Sequence, residues 1–264
     1  MERIDHKELL KAGVHFGHLK SKWNPKMLQY IFIEKKGIHL IDLNKTSDKL
    51  LEAAAAMKSI TESGRKIMFV ATKKQAKETV KAIAQDVNMP YVTERWLGGM
   101  LTNFGTIRKS IKKMQTIEKI LADTNATGLT KKERLMMTRQ RAKLSTVLGG
   151  IEQLNRLPAA IFVVDINHEH IAIKEAKKLG IRTFGMVDTN SNPNLVDFAI
   201  PANDDASKSI EIITNYLAAA VKEGLTDRQN QKDKEEDAAK TEEVKTEEPA
   251  TEAVKTEEAA ADKK

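Results

Sequence analysis

Residues Ala159-Ala160-Ile161-Phe162-Val163-Val164-Asp165 are six apolar side chains closed by a carboxylate. An unbroken apolar run of this length reads as a strand covered on both faces, the habit of a parallel sheet. Its neighbours repeat the theme. Downstream, a helical stretch over 169–179 leads to Arg182-Thr-Phe-Gly-Met-Val-Asp188 and then Asp197-Phe-Ala-Ile-Pro201. Upstream, Lys66-Ile-Met-Phe-Val-Ala71 precedes a helix over 75–87 and a short strand, Tyr91-Val-Thr93. Strands alternating with amphipathic helices predict an α/β, doubly wound fold: a parallel sheet with helices on both faces. Asp205 is expected to cap a last helix from Ala206 to about Glu223. Nearer the start, Asp5 caps a short helix with Glu8 in capping-box spacing. Tyr30-Ile-Phe-Ile33 and Ile38-His-Leu-Ile41 form a hairpin across Glu34-Lys-Lys-Gly37. Asn44 or Thr46 then caps a long helix that Gly64 stops.

One segment breaks the alternation. Residues 104–150 hold eleven Lys or Arg against three Asp or Glu, a net charge of +8. Ile107, Ile111, Met114, Ile117 and Leu121, then Met137, Leu144 and Ile151, keep helical spacing, and a turn-rich stretch over 123–130 ends in Thr130, a ready cap. Two antiparallel helices zipped along a narrow seam are predicted, projecting from the body. A solvated helix usually intersperses Glu and Lys; here like charges repel by a few tenths of a kcal/mol per pair. A polyanion relieves that repulsion, and nucleic acid is the expected partner. The candidate contacts on these helices are Arg108, Lys109, Lys112, Lys113, Lys131, Lys132, Arg134 and Arg139.

The rest of the chain narrows the function. The 264 residues carry a net charge of +7, yet residues 226–264 sum to −5, so positive charge is concentrated in the inserted helices. That last stretch, an imperfect ten-residue repeat with little to bury, reads as disordered by composition. Three domains follow: a discontinuous globular body (1–103 with 155–225), the insertion (104–154) and the acidic tail (226–264). With no cysteine there is no disulfide, thiolate catalysis or cysteine-held zinc. No apolar run spans a bilayer and no signal peptide opens the chain, so a cytoplasmic protein is expected.

Parallel sheets bind ligands at the carboxyl ends of their strands. The turn after Val70, Ala71-Thr-Lys-Lys-Gln-Ala-Lys77, has no glycine to bring backbone against a pyrophosphate, and no Walker sequence occurs. No nucleotide cofactor is expected. Lys73 and Lys74 in that turn either meet phosphate together with a helix end or are simply solvated. Asp165, Asp188, Asp204 and Asp205 fall at strand ends, where a divalent cation can be held. The preferred reading makes Asp165 and Asp205 helix caps and Asp188 the opening of a turn, with no metal. His15 and His18 stand three apart without a third ligand nearby, so zinc is not indicated there either. Trp23, between Lys22 and Lys26, and Trp96, beside Arg95, are core tryptophans by default. Their cationic neighbours also suit loops that sit on RNA, and Asn103 closes the second loop. No triad or carboxylate pair presents itself, so no catalytic site is expected.

Three stretches carry a family resemblance: Leu10-Lys-Ala-Gly-Val-His-Phe-Gly-His18, Thr93-Glu-Arg-Trp-Leu-Gly-Gly-Met-Leu-Thr-Asn-Phe104, and Pro158-Ala-Ala-Ile-Phe-Val-Val-Asp165 with Glu169, Glu175 and Gly180-Ile-Arg182. With Trp23-Asn-Pro-Lys-Met27 they span about residues 5 to 224, and the chain resembles the bacterial small-subunit ribosomal protein S-two family. The resemblance implies a flavodoxin-like sheet of five parallel strands with an inserted coiled-coil hairpin. It also implies a structural, non-enzymatic place on the small ribosomal subunit, touching rRNA and neighbouring proteins and helping dock the mRNA-binding protein S-one. The alternative is a nucleotide- or phosphate-dependent enzyme, motivated by the sheet alone.

Overall fold

The computed structural model describes residues 3–122 and 130–231. In chain order these form α1 (His6–Lys11), β1 (Phe16–Leu19), β2 (Ile31–Lys35), β3 (Ile38–Ile41), α2 (Leu43–Glu62), β4 (Ile67–Val70), α3 (Lys77–Asp86), β5 (Tyr91–Val92), α4 (Phe104–Ala122), α5 (Lys131–Leu148), β6 (Ala160–Val164), α6 (His170–Lys178), β7 (Arg182–Val187), β8 (Phe198–Pro201) and α7 (207–231). Five strands pair in parallel in the order β5-β4-β6-β7-β8. Numbered within that sheet the order is 2-1-3-4-5, the flavodoxin-like arrangement, with its reversal between β4 and β6.

The unbroken apolar runs explain the layering. Successive side chains of a strand face opposite ways, and here each face has its own core. Ile67 and Phe69 of β4 join Phe162 of β6 and Phe184 of β7 beneath α2, α3 and α7. Met68 and Val70 join Ile161 and Val163 beneath α6 and the roots of α4 and α5. Every residue of β4 and β6 is buried, and each large side chain so covered contributes about 1.5–3 kcal/mol. Gly185 is needed for this packing: a Cβ there would come within 2.7 Å of Ile166 Cγ2.

A second, antiparallel sheet runs β1-β3-β2. Its hairpin turn uses two left-handed residues, Lys36 (φ 55°) and Gly37 (φ 77°), which matches strand twist. The sheet is tied to the body at Thr189, whose carbonyl accepts from Asn24 N at 2.8 Å and whose Oγ1 accepts from His18 N at 2.8 Å.

Several sequence expectations change. β1 was not foreseen, because a short half-exposed strand containing Gly17 has little apolar alternation. Asp42, not Asn44 or Thr46, caps α2 by accepting from Asn44 N; Thr46 instead donates to Pro201 O across the core. Asp205 does not cap α7; Asn203 Oδ1 accepts the N–H groups of Asp205 and Ala206. α7 runs to 231, past the expected end near Glu223, so the 225/226 boundary falls inside a helix. There Lys58 of α2 pairs with Asp227 at 2.8 Å and Glu223 at 3.5 Å. The turn over 123–129 and the acidic stretch 232–264 lie outside the described residues.

Candidate nucleic-acid interface

The inserted helices begin inside the second core and end outside it. Ile107 and Ile111 of α4 and Leu148 of α5 are buried with the sheet, so the insertion is rooted in the body. Cross-links from α4 run antiparallel: Glu118 with Arg141, Gln115 Nε2 to Glu152 Oε1 at 3.1 Å, and Arg108 Nη1 to Asn155 O at 2.8 Å. Met114 and Ile117 remain buried, whereas from Lys131 to Lys143 only Met137 of α5 is even half-buried. Thr130 caps α5 as foreseen, in a capping box with Glu133.

Few of these cations are matched by acids among the described residues. Arg141 is paired and Arg108 is turned to Asn155. Among the described residues Lys109, Lys112, Lys113, Lys119, Lys131, Lys132, Arg134, Arg139 and Lys143 make no ion pair, and all are exposed. Glu118 and Glu133, the two described acids of this segment, are already engaged with Arg141 and Thr130.

The loop between β5 and α4 is built differently. Glu175 of α6 presents its carboxylate to five donors: Trp96 Nε1 (3.2 Å) and Gly99 N (2.7 Å) on Oε1, and Leu101 N (3.0 Å), Thr102 N (3.1 Å) and Thr102 Oγ1 (3.1 Å) on Oε2. Burial pushes this carboxyl up, but the hydrogen bonds from Thr102, Gly99, Leu101 and Trp96 outweigh it and hold it below the ordinary glutamate value. Trp96 is therefore a buried clamp residue, not a free stacking surface. Arg95 and Asn103, at the ends of the clamped loop, are exposed.

At the carboxyl edge of the sheet Lys73 is also drawn inward. Its Nζ lies 2.8 Å from Asp204 Oδ1, 2.6 Å from Asp205 Oδ1 and 3.5 Å from Asp165 Oδ2. Burial lowers its pKa, yet the bonds to Asp204 and Asp205 dominate and raise it. Asp165 sits at φ 64°, a conformation few non-glycine residues adopt, and its Oδ1 accepts from Asn167 N and His168 N. Burial, with the charges of Asp188 and Asp165, pushes Asp204 up to about 7. The hydrogen bond to Asp188 raises the His18 pKa. A nucleotide would enter at the strand reversal between β4 and β6, and there carboxylates repel phosphate. Lys74 stays exposed beside this cluster.

Near the N-terminal sheet, Lys22 and Lys26 are exposed, and Trp23 is half-buried with its ring 5.1 Å from His39. Glu175 was in plain view in the sequence without a role, because its five donors come from a loop more than 70 residues away. Among the described residues no helix is long and apolar enough to cross a membrane.

The structure is thus an α/β body in which Lys73 and its carboxylates occupy the carboxyl edge of the parallel sheet, with a cation-bearing helical pair rooted in the second core. The profile of a family described as "Ribosomal protein S2" matches residues 9–224. A Cytophaga hutchinsonii protein named small ribosomal subunit protein uS2 is 60% identical over 250 residues, covering 93% of this chain and 98% of its own. Namesakes from Parabacteroides distasonis (59% identical, 88% of this chain, 84% of its own) and Flavobacterium johnsoniae (60% identical, 88% and 92%) are similar. The chain belongs to the ribosomal protein S2 family, a structural family and not one of enzymes.

Proposed function

We propose that this chain is a structural component of the small ribosomal subunit, in the cytoplasm, and binds ribosomal RNA. The main contact is the exposed face of α4 and α5, joined as a coiled-coil hairpin: Lys109, Lys112, Lys113, Lys131, Lys132, Arg134 and Arg139, with Arg108 at the root. One observation carries the reading: nine cations on two helices with no ion-pair partner among the described residues. Phosphate neutralises such a surface and releases counterions, which dominates nucleic-acid affinity. Lys22, Trp23, Lys26, Lys74, Arg95 and Asn103 form a second contact on the body. Lys73 and Trp96 take no part in RNA binding, since both are engaged inside the protein. Neighbouring ribosomal proteins are further partners. Helping to dock the mRNA-binding protein S-one belongs to the same proposal, on the family resemblance. So does the division into body (1–103, 155–225), insertion (104–154) and acidic tail (226–264).

The test is a variant with Lys112, Lys113, Lys131 and Lys132 changed to Gln. Its occupancy in purified small subunits should fall, and binding to small-subunit rRNA should depend less steeply on salt. Full occupancy with an unchanged salt slope would remove the hairpin as the main contact.

A further inference from the structure

The cation-bearing face of α4 and α5 has a second polyanion within reach, carried by the same chain. Residues 235–258 hold ten Asp or Glu against three Lys, a net charge of −7, with the acids clustered at 235–237, 242–243, 247–248 and 257–258. This stretch lies outside the described residues, and beyond residues 9–224 that the family profile matches. Its point of departure is described. α7 ends at 231 beside the amino edge of the parallel sheet: the Arg228 guanidinium covers Gly64, just ahead of β4, and Lys222 ion-pairs with Asp86 at the end of α3. The foot of the insertion stands on that same edge. Gly150 packs on the Tyr91 carbonyl so closely that a Cβ would lie 2.1 Å from it, and Glu152 lines one hollow with Lys66 and Asn88. The 33 residues after 231 reach up to about 110 Å, and α5 is only about 27 Å long.

We propose that residues 235–258 dock along the outer face of α4 and α5 in the free protein, and that rRNA displaces them. This rests on the hairpin being the rRNA contact, and names what covers it before RNA arrives. Complementary charge is the first support: nine exposed cations have no ion-pair partner among the described residues, and they repel one another until an anion is placed between them. The tether is the second, because it holds the acids at about millimolar effective concentration. A segment that binds with a dissociation constant of about 0.1 mM under those conditions lowers the affinity of any competing anion about 10-fold. Non-specific RNA binding, at about 10⁻⁴–10⁻⁶ M, then becomes negligible, while a site that adds many further contacts still captures the protein. RNA wins there because every nucleotide brings a phosphate and releases counterions, whereas Lys240, Lys245 and Lys255 dilute the acids of the chain's own segment.

The test uses the free full-length chain. Carbodiimide coupling at low salt, with peptide mapping by mass spectrometry, should join acids of 235–258 to lysines between Lys109 and Lys143. Mixing isotope-labelled and unlabelled chain should show these links within one copy, and they should disappear in about 0.5 M NaCl. A full-length variant with Glu242, Glu243, Glu247, Glu248, Glu257 and Glu258 changed to Gln should bind an unrelated double-stranded RNA about 10-fold more tightly than wild type at low salt. Links confined to the globular body, links between copies, or equal RNA affinity of the two proteins would overturn the proposal. The lysine-to-Gln hairpin variant separates the two readings. If it loses RNA binding while the glutamate variant matches wild type, only the docking fails; if it keeps RNA binding, the rRNA contact itself fails, and displacement with it.

Discussion

Replacing Glu175 tests whether a single buried carboxylate holds the loop that leads into the inserted helices. Glu175→Ala removes the acceptor for five hydrogen bonds, of which those from Trp96 Nε1 and Leu101 N are fully buried. Each buried donor left without a partner costs about 1–3 kcal/mol, so the loss should be about 2–6 kcal/mol. That is a large share of a typical stability of about 5–15 kcal/mol. Glu175→Gln keeps the shape but turns an amide NH₂ towards N–H donors, so it should lose more than half as much. Urea unfolding followed by tryptophan fluorescence reads both variants. The folded carboxyl lies below the ordinary glutamate value of 4.5, so the unfolded chain binds more protons as the solution is acidified. The stabilisation is therefore present above 4.5 and fades as pH falls through the lower folded value. The gap between wild type and Glu175→Gln should narrow by about pH 3. A gap that stays constant from pH 7 to pH 3, or a Glu175→Ala loss under about 0.5 kcal/mol, a surface-sized effect, would refute the reasoning.

Neutralising Lys112, Lys113, Lys131 and Lys132 should lower the log–log salt slope of rRNA binding by about 3, at about 0.7–0.9 for each phosphate that lysine no longer neutralises; filter binding across a salt series measures it. Lys73→Met should destabilise the fold by about 1–3 kcal/mol, because it leaves the buried Asp204 Oδ1 without its donor. Because Lys73 faces inward, the salt slope of the folded variant should be unchanged. Lys74→Gln should do the reverse, leaving the urea midpoint within error while weakening rRNA binding slightly. Gly185→Ala should cost about 1–3 kcal/mol by overpacking against Ile166 and Val196, read as a lower thermal midpoint.

The order β5-β4-β6-β7-β8 shows which parts of the fold were legible in the chain. A strand covered on both faces is largely apolar, so β4, β6 and most of β7 announce themselves locally, as does Thr130 at the head of α5. β1 did not, since it is half exposed and short. The inserted cations were legible because charge density needs no partner to be noticed.

What the residues determined by themselves was whatever depends on near neighbours: apolar runs, helix caps, and a net charge concentrated over residues 104–150. Tertiary structure alone decided which polar groups are spent inside. Lys73 and Lys74 are adjacent in sequence, yet one meets Asp204 across 131 residues and the other faces solvent. Trp23 and Trp96 look alike in composition, yet Glu175 claims the indole N–H of the second. Such pairings follow from strand order and helix placement, which bring distant carboxylates to one sheet edge, and no local pattern encodes that distance.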